Sequence, residues 1–599
     1  MHRLTSVTIS NFRSILGHKF PLAPMTPMVG YNNAGKTTVL KAISWLFKRS
    51  SLSAENFNDP SSPIVVTGIV GGITPEVLAL LNDDHRQRIA AFVVGGEIPI
   101  RRSQPTPSCP IKDVRLEIGT IDAGGEIDWG ANPTGIEGAI SDLFPECIFV
   151  GAMENVLDDL AKNTSTTTIG KLLKEIIAPV QERHSDSVRA AMLDLEKLFS
   201  AKGEAKDADL VKTDRIINQE VGKFFPEISV KTHLPVPAFG DFLKGATLKV
   251  FEGDGDDTPE RGADAMGHGA LRAVQMALIK SLAEIKKDAA GKDGRTTMLL
   301  IDEPELYLHP QAVLMVRNAL KTLSEHGYQI VFTTHSASMV QRTDAPHALL
   351  IRKGAAAGTI SLPRMRDAIE ANMLDAPVQA EALFTLGNAS KILFSDRVLL
   401  GEGKTETTLL PEIYRHVTGA ELSDRNTSLI SMDTAGATGK YLNVLRAMGL
   451  DARAVVDLDF AFRNAIGAGL LDEADRDLAT CKTLLYEMQA AGQLALGADG
   501  FPMRSGGRSA AQGFAAFAAQ PAAAGPINAL HQKLKEHGIW LWERGAIESH
   551  VGLTAKSNAA RAQLVSNLET AGYLAELPGF DAVKRFCDWV AEDSWSVAG

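Results

Sequence analysis

The sequence predicts an α/β fold class: two α/β units, the first broken by a helical insert and the second carrying a helical excursion. Three observations predict it. An apolar segment runs into a glycine-rich loop that starts at Gly30, and the loop runs into the helical stretch TVLKAISWLF. Residues 297–352 alternate strand and helix, as in a parallel sheet covered by helices. A new alternation begins with the apolar strand around Val398–Leu400.

Taken in order, residues 1–150 are strand-rich, and the β-branched run Ile64–Val70 is bounded by Gly and Pro, as strands usually are. Residues 155–225 turn helical, with Leu172, Leu173, Ile176, Ile177 and Val180 on one stripe. Two readings of this insert stay open: an ordinary amphipathic hairpin, or a dimerisation element. Strand character returns near 228–252. The loop GDGDDTPERGADAMGHG then leads into the helix ALRAVQMALIKSLAEIKK. That loop superficially suggests calcium ligands, but the D-x-D-x-D-G spacing and the closing Glu are missing. Residues 353–392 read as a helical or loop connector. In the last unit, 463–535 is helical and alanine-rich, and its tract SGGRSAAQGFAAFAAQPAAAGP is expected to be a flexible excursion. There is no internal repeat.

Composition bounds the function. At 599 residues the chain is too long for one core, so about two to four domains are expected. With 45% hydrophobic and 22% charged residues it reads as soluble and globular. No apolar run approaches the roughly 18 residues of a membrane span. The opening MHRLTSVTISNFRS lacks the apolar core of a secretory signal. Cys109, Cys147, Cys481 and Cys587 are far apart, which suggests neither a zinc site nor a disulfide framework. A cytoplasmic location is expected. The net charge of −11 argues against a generic DNA-coating protein, so a nucleic acid would have to be met by a local basic groove or through metal ions.

The sharpest motif is Gly30-Tyr31-Asn32-Asn33-Ala34-Gly35-Lys36-Thr37, which fits G-x-x-x-x-G-K-[ST] at every position, between a strand and a helix. Its glycines let backbone N–H groups curl around phosphates, and the following helix adds partial positive charge. Lys36 is placed for the β- and γ-phosphates and Thr37 for magnesium. The apolar run Thr297–Ile301 ends in Asp302-Glu303: Asp302 sits where an acid must support magnesium, and Glu303 where one must polarise water. A third strand ends at His335, placed as a γ-phosphate sensor.

A second chemistry lies further on. Arg-Val-Leu-Leu-Gly-Glu402-Gly-Lys-Thr-Glu406 puts two glutamates four apart at a strand-to-helix turn. About 50 residues later, Ala-Val-Val-Asp457-Leu-Asp459 puts two aspartates at i and i+2, which share a face in a strand. Four such carboxylates would repel one another without hard divalent cations, so Mg²⁺ or Mn²⁺ is expected.

Gly-x-Asn-x-x-Gly-Lys-Thr, Asp-Glu-Pro-Glu-x-x-Leu-His-Pro (302–310) and Thr-Thr-His-Ser (333–336) resemble ABC ATPases of the SMC-related branch, as does the opening Ile-Ser-Asn-Phe-Arg-Ser. The resemblance implies an ATP site of Gly30, Asn32, Asn33, Gly35, Lys36, Thr37, Thr38 and Asp302, with Glu303 and His335 catalytic and one magnesium ion beside the ATP. It also implies a homodimer, in which one subunit's site faces the other's signature motif. The candidate for that motif is Met266-Gly-His-Gly269-Ala-Leu-Arg272, which lacks the usual serine.

The glutamate strand followed by Asp-x-Asp resembles a Toprim domain. ABC ATPase followed by Toprim resembles the OLD (overcoming lysogenization defect) family of nucleases. This resemblance implies metal-dependent DNA cleavage with two ions, held by Glu402, Asp457 and Asp459 with Glu406 assisting. It implies a late carboxylate as well, for which Glu548 is the preferred candidate. Ala546 stands where the family's aspartate is expected. Ser509 is another candidate ligand. Lys556 is the candidate for a lysine at the scissile phosphate, an ordinary surface lysine being the other reading.

The expected organisation is an ATPase in 1–154 and 229–392, a helical and dimerising insert in 155–228, and a Toprim nuclease in 393–599. An SMC-like ATPase that only binds DNA is the alternative. A topoisomerase or primase is disfavoured, because no domain supplies the tyrosine nucleophile or the template module: Tyr414, Tyr441, Tyr486 and Tyr573 are the only late tyrosines. The resemblance further implies phage defence or DNA repair, sometimes beside a helicase partner.

Overall fold

The computed structural model describes the chain except residues 1, 123, 131–134, 145–146, 153–167, 222, 224–226, 235–249, 252–259, 262–267, 289–295, 374–385, 433–434 and 596–599. Most of the Gly/Asp-rich loop, with Met266 and Gly267 of the candidate signature motif, lies outside the described residues. So do the start of the helical insert and the side chains of Leu172, Leu173, Ile177 and Val180. The chain forms two compact units: residues 1–26, 35–339 and 353–360, and residues 27–34, 340–352 and 361–599.

The first unit carries an antiparallel run of strands in the order Ile127–Trp129, Arg115–Ile121, Glu97–Gln104, Ile64–Gly71, Arg3–Phe12, Ile15–Pro21. Burial alternates along Ile64–Gly71, as expected of a strand with one face on the core. A parallel trio follows a different rule. Thr297–Ile301 lies between Cys147–Val150 and Tyr328–Thr334, and both Thr297–Ile301 and Tyr328–Thr334 are buried along their whole length. Helices cover both faces of such strands, so every position must be apolar or fully hydrogen-bonded. The helices His268–Asp288 and Pro310–Glu325 pack there through Leu271, Ile279, Leu282, Val316, Leu320 and Leu323. Because the strands are parallel and in register, Asp302 and His335 leave them at the same end.

The insert contains a helix over Thr168–Phe199, 32 residues, and another over Ala208–Val221. The first is about 48 Å long at 1.5 Å per residue. Leu193, Leu195, Leu198, Ile216 and Ile217 are exposed on these helices.

The strands Met25–Gly30 and Leu349–Gly354 pair in parallel from Met28–Leu349 to Gly30–Ile351, residues that fall in the second unit. A separate sheet of four parallel strands runs Thr427–Ser431, Arg397–Gly401, Asp451–Val456, Ile539–Leu541. Its two central strands end side by side, with Gly401 opposite Val455. The alanine-rich tract is not a flexible excursion: it folds as helices Ala510–Ala518 and Pro521–Glu536. Ser509 caps the first, accepting the Gln512 N–H, and Pro521 opens the second. Phe514, Phe517, Ile527, Leu530 and Leu534 are buried at helical spacing. Opposite them, Trp540, Trp542 and Trp589 pack around Phe586 with ring centroids 5.3–6.2 Å from it. Arg453 lies over the Trp589 and Trp595 rings at 4.4 and 5.0 Å. Among the described residues no helix is long and apolar enough to cross a membrane.

Candidate active sites

The first site gathers at the ends of the parallel trio. Gly35 has φ +101°, and a Cβ there would lie 2.3 Å from Thr359 Oγ1, so only glycine fits. Asn33 also takes a left-handed conformation, at φ 62°, and Asn32 and Asn33 are exposed. Lys36 and Thr37 open the helix Lys36–Phe47, with Thr38 in its first turn. Thr37 Oγ1 donates to the Asp302 carboxylate at 3.0 Å, the arrangement a shared magnesium ligand pair would need. Lys36 Nζ lies 2.8 Å from His335 Nε2. An ammonium can only donate, so Nε2 accepts and the imidazole proton sits on Nδ1. Burial, then the Lys36 charge, pulls the His335 pKa below its ordinary value, and burial also lowers that of Lys36.

Glu303 Oε1 approaches His335 Nε2 at 3.5 Å. Its backbone is strained, at φ 47°. Thr333 holds that turn: its hydroxyl donates to Asp302 Oδ1 at 2.6 Å and accepts the Glu303 N–H at 2.9 Å. Arg272, 2% exposed, donates to the carbonyls of Asp302 (2.8 Å), Glu303 (2.6 Å) and Gly151 (2.9 Å). Gly269 lies one turn earlier on the same helix, near Tyr307. Thr333, Arg272 and Glu305 lie inside the motifs quoted from the sequence, which assign none of them a role of its own. Glu305 accepts from the Thr334 hydroxyl and the His335 N–H, each at 2.7 Å. Its place in Asp-Glu-Pro-Glu was the available signal.

The second site lies at the ends of the two central parallel strands of the other unit. Ligand oxygens of Glu402, Asp457 and Asp459 lie within 4.8 Å of one another. The sequence predicts that the aspartates converge by strand alternation, and they do not. The strand stops at Val456, Asp457 lies in the turn, and Asp459 starts the helix Asp459–Arg463. The Asp457 N–H donates to Glu402 Oε2 at 3.1 Å. Glu406 reaches back from the helix Lys404–Thr418 to accept the Gly403 N–H at 3.0 Å. Glu548 opens the short helix Ile547–Val551, and Lys556 Nζ lies 3.1 Å from its Oε1. The sequence-nominated Glu402, Glu406, Asp457, Asp459, Glu548 and Lys556 are thus brought together electrostatically. Ser509 is exposed and serves as a helix cap, with no hydrogen bond to this cluster among the described residues.

Burial raises the pKa of Glu402 to about 7, with the Asp459 and Glu406 charges adding to the rise. Burial also pushes Asp457 well above the usual carboxylate range and raises Glu406 and Asp459. Asp457 Oδ1 and Glu548 Oε2 are buried without a hydrogen-bond partner. Orphaned oxygens in a crowd of carboxylates fit a hard divalent cation, which would satisfy the oxygens and remove the repulsion. Glu412, His416 and Glu569 form another trio of this kind. There the Arg415 guanidinium already donates to Glu412 and Glu569 at 2.8 Å each, so both carboxylates have a cationic partner without an ion.

Comparisons with known proteins agree with this division. Residues 3–85 and 139–340 match the model of an AAA ATPase domain. Residues 393–459 match the TOPRIM domain of overcoming lysogenization defect protein-like sequences. The Old nuclease of Escherichia phage P2 is 36% identical over 590 residues, covering 98% of this chain and 100% of that protein. The OLD nuclease of Thermus scotoductus is 23% identical over 473 residues, 76% of this chain and 81% of its own. Among solved structures, an SmcHead bound to the C-winged helix domain of ScpA overlaps 61% of this chain and 99% of its own, at 15% identity and a TM-score of 0.33.

Proposed function

The chain belongs to the OLD nuclease family, an ATPase joined to a Toprim nuclease, and from that premise we propose that it is a DNA endonuclease dependent on Mg²⁺ or Mn²⁺ and licensed by ATP. The carrying observation is the buried carboxylate cluster with its two orphaned oxygens. When bound, two ions supply activation of the attacking water and neutralisation of charge on the leaving oxygen.

The protein's own groups then have defined tasks. Glu402, Asp457 and Asp459 would hold one ion, and Glu548 with Glu406 would support the other. The Asp457 N–H keeps the Glu402 carboxylate in place. Lys556 brings its ammonium to the scissile phosphate and neutralises one of its oxygens. In the ATPase unit Lys36 binds the β- and γ-phosphates, and Thr37 and Asp302 hold one magnesium ion. Glu303 orients water, and His335 senses the γ-phosphate.

The domain borders read from the sequence, 1–154, 155–228, 229–392 and 393–599, belong to this proposal. So does a homodimer built through the helical insert, which the exposed leucines and isoleucines of its helices support. We place the enzyme in phage defence or DNA repair, tested by phage plating efficiency with and without the Asp457→Ala variant.

The direct test is cleavage of supercoiled plasmid with Mg²⁺ or Mn²⁺ by the wild type and a folded Asp457→Ala variant. Metal-dependent nicking or linearisation that disappears in the variant is expected. No cleavage under any metal and nucleotide condition, with ATPase activity intact, overturns the reading.

A further inference from the structure

Glu548 combines a saturated oxygen with a bare one. Its Oε1 receives the Thr405 hydroxyl at 2.9 Å and lies 3.1 Å from Lys556 Nζ. Its Oε2 is buried and has no hydrogen-bond partner. The asymmetry depends on where the single Thr405 proton points. A threonine hydroxyl can donate once and can accept as well.

Arg561 decides the direction. It projects from the first turn of the helix Asn558–Leu568, and its Nη1 lies 3.3 Å from Thr405 Oγ1. A guanidinium carries donors and no acceptor, so Thr405 accepts from Arg561 and must spend its own proton on Glu548. The same Nη1 donates to the Lys556 carbonyl at 3.2 Å, and Nη2 donates to Asn558 Oδ1 at 2.6 Å. Thr405, Glu548 and Arg561 are all buried, which leaves little room for water to reverse the chain of donors. One cation thus ties together two helices and the loop bearing Lys556, and its hydrogen bonds go to Thr405, the Lys556 carbonyl and Asn558 rather than to the nuclease carboxylates.

We propose that Arg561 is a positioning residue of the nuclease site: through Thr405 it fixes the hydrogen bond to Glu548 Oε1, and through the Lys556 carbonyl it fixes the loop that carries Lys556, so that Glu548 presents Oε2 to a divalent cation. The proposal rests on the two-ion reading of the site. Groups that orient a metal ligand from behind alter metal affinity roughly 10–100-fold when removed.

The test uses full-length protein, with Mn²⁺ binding followed by calorimetry and plasmid nicking followed against Mg²⁺ and against DNA concentration. Thr405→Val and Arg561→Met, each checked by thermal melting, are expected to weaken one class of Mn²⁺ sites about 10–100-fold. They should raise the Mg²⁺ needed for half-maximal nicking and leave the KM for DNA near wild type. Thr405→Ser keeps the hydroxyl and should restore wild-type behaviour. A folded Thr405→Val with a wild-type Mn²⁺ isotherm overturns the proposal. Equal losses in Thr405→Ser and Thr405→Val also overturn it, because packing would then be the cause. Glu548→Gln separates the two levels: if it too leaves Mn²⁺ binding unchanged, the two-ion reading itself fails. If it weakens binding while Thr405→Val does not, only the Arg561 relay fails.

Discussion

Replacing Thr333 with valine tests the ATPase centre without touching a group expected to meet nucleotide. Valine keeps the shape and removes the hydroxyl. Two bonds go with it: the 2.6 Å donation to Asp302 and the 2.9 Å bond from the Glu303 N–H. A bond to a charged group contributes roughly 1.5–3 kcal/mol, and a buried N–H left without a partner costs roughly 1–3 kcal/mol. Thr333 is fully buried, so water does not replace either bond. The expected loss is about 4 kcal/mol, which calorimetry should show as a fall of about 8 °C in the transition of this unit, at about 2 °C per kcal/mol. Glu303 holds a strained φ of 47° against that bond, so its carboxylate should also lose its aim. The kcat for ATP hydrolysis should therefore drop at least about tenfold, while the KM for ATP moves little because Lys36 is untouched. Thr333→Ser should behave as wild type. A melting point that falls with kcat unchanged would refute the aiming role, and no change in either would refute the hydrogen-bond argument altogether.

Other outcomes are expected elsewhere. Gly35→Ala should abolish nucleotide binding measured by fluorescence titration, and removing the Thr359 side chain should not rescue it, because φ +101° stays unfavourable for any Cβ. Lys36→Ala should eliminate ATP hydrolysis while sparing unregulated nicking, and loss of all metal-dependent cleavage in the folded variant would contradict ATP licensing. Metal-free protein should lose nuclease-unit stability as pH rises. Glu402 has its folded pKa raised from 4.5 to about 7, so its contribution is fully present below about 4.5 and is lost as pH passes through about 7. Calorimetry in chelator at pH 5 and pH 8 should show the fall, and Mg²⁺ at pH 8 should reverse it.

What the sequence made legible was whatever is local. The phosphate loop could be read position by position because glycine spacing and a following helix are properties of one short segment. Glu402 and Glu406 were visible for the same reason. Asp457 and Asp459 were nominated by a rule that the backbone does not follow, since the strand ends one residue before Asp457. The residue types remained informative although the periodicity failed. The alanine-rich tract looked flexible from its small residues, but Phe514 and Phe517 sit at helical spacing and bury themselves in the core. Thr333 and Arg272 fall inside quoted motifs and Thr405 lies between the two glutamates, but what these side chains and Arg561 do could not be read. Their work depends on contacts across the chain, such as the 156-residue separation between Arg561 and Thr405, which a local pattern does not encode.

The aromatic packing behind the nuclease sheet has an optical consequence. The chain has six tryptophans, and four of them, Trp540, Trp542, Trp589 and Trp595, are buried in the unit that carries the carboxylate cluster. Rings as close as 5.5 Å, as Trp540 and Trp589 are, exchange excitation readily, so their emission behaves as one signal. Intrinsic fluorescence is therefore weighted towards the nuclease unit, and its red shift on denaturation reports mainly the opening of that unit. Circular dichroism of the same sample averages over the whole chain. Any gap between the two melting curves would measure how independently the two halves of the enzyme unfold, with no label added.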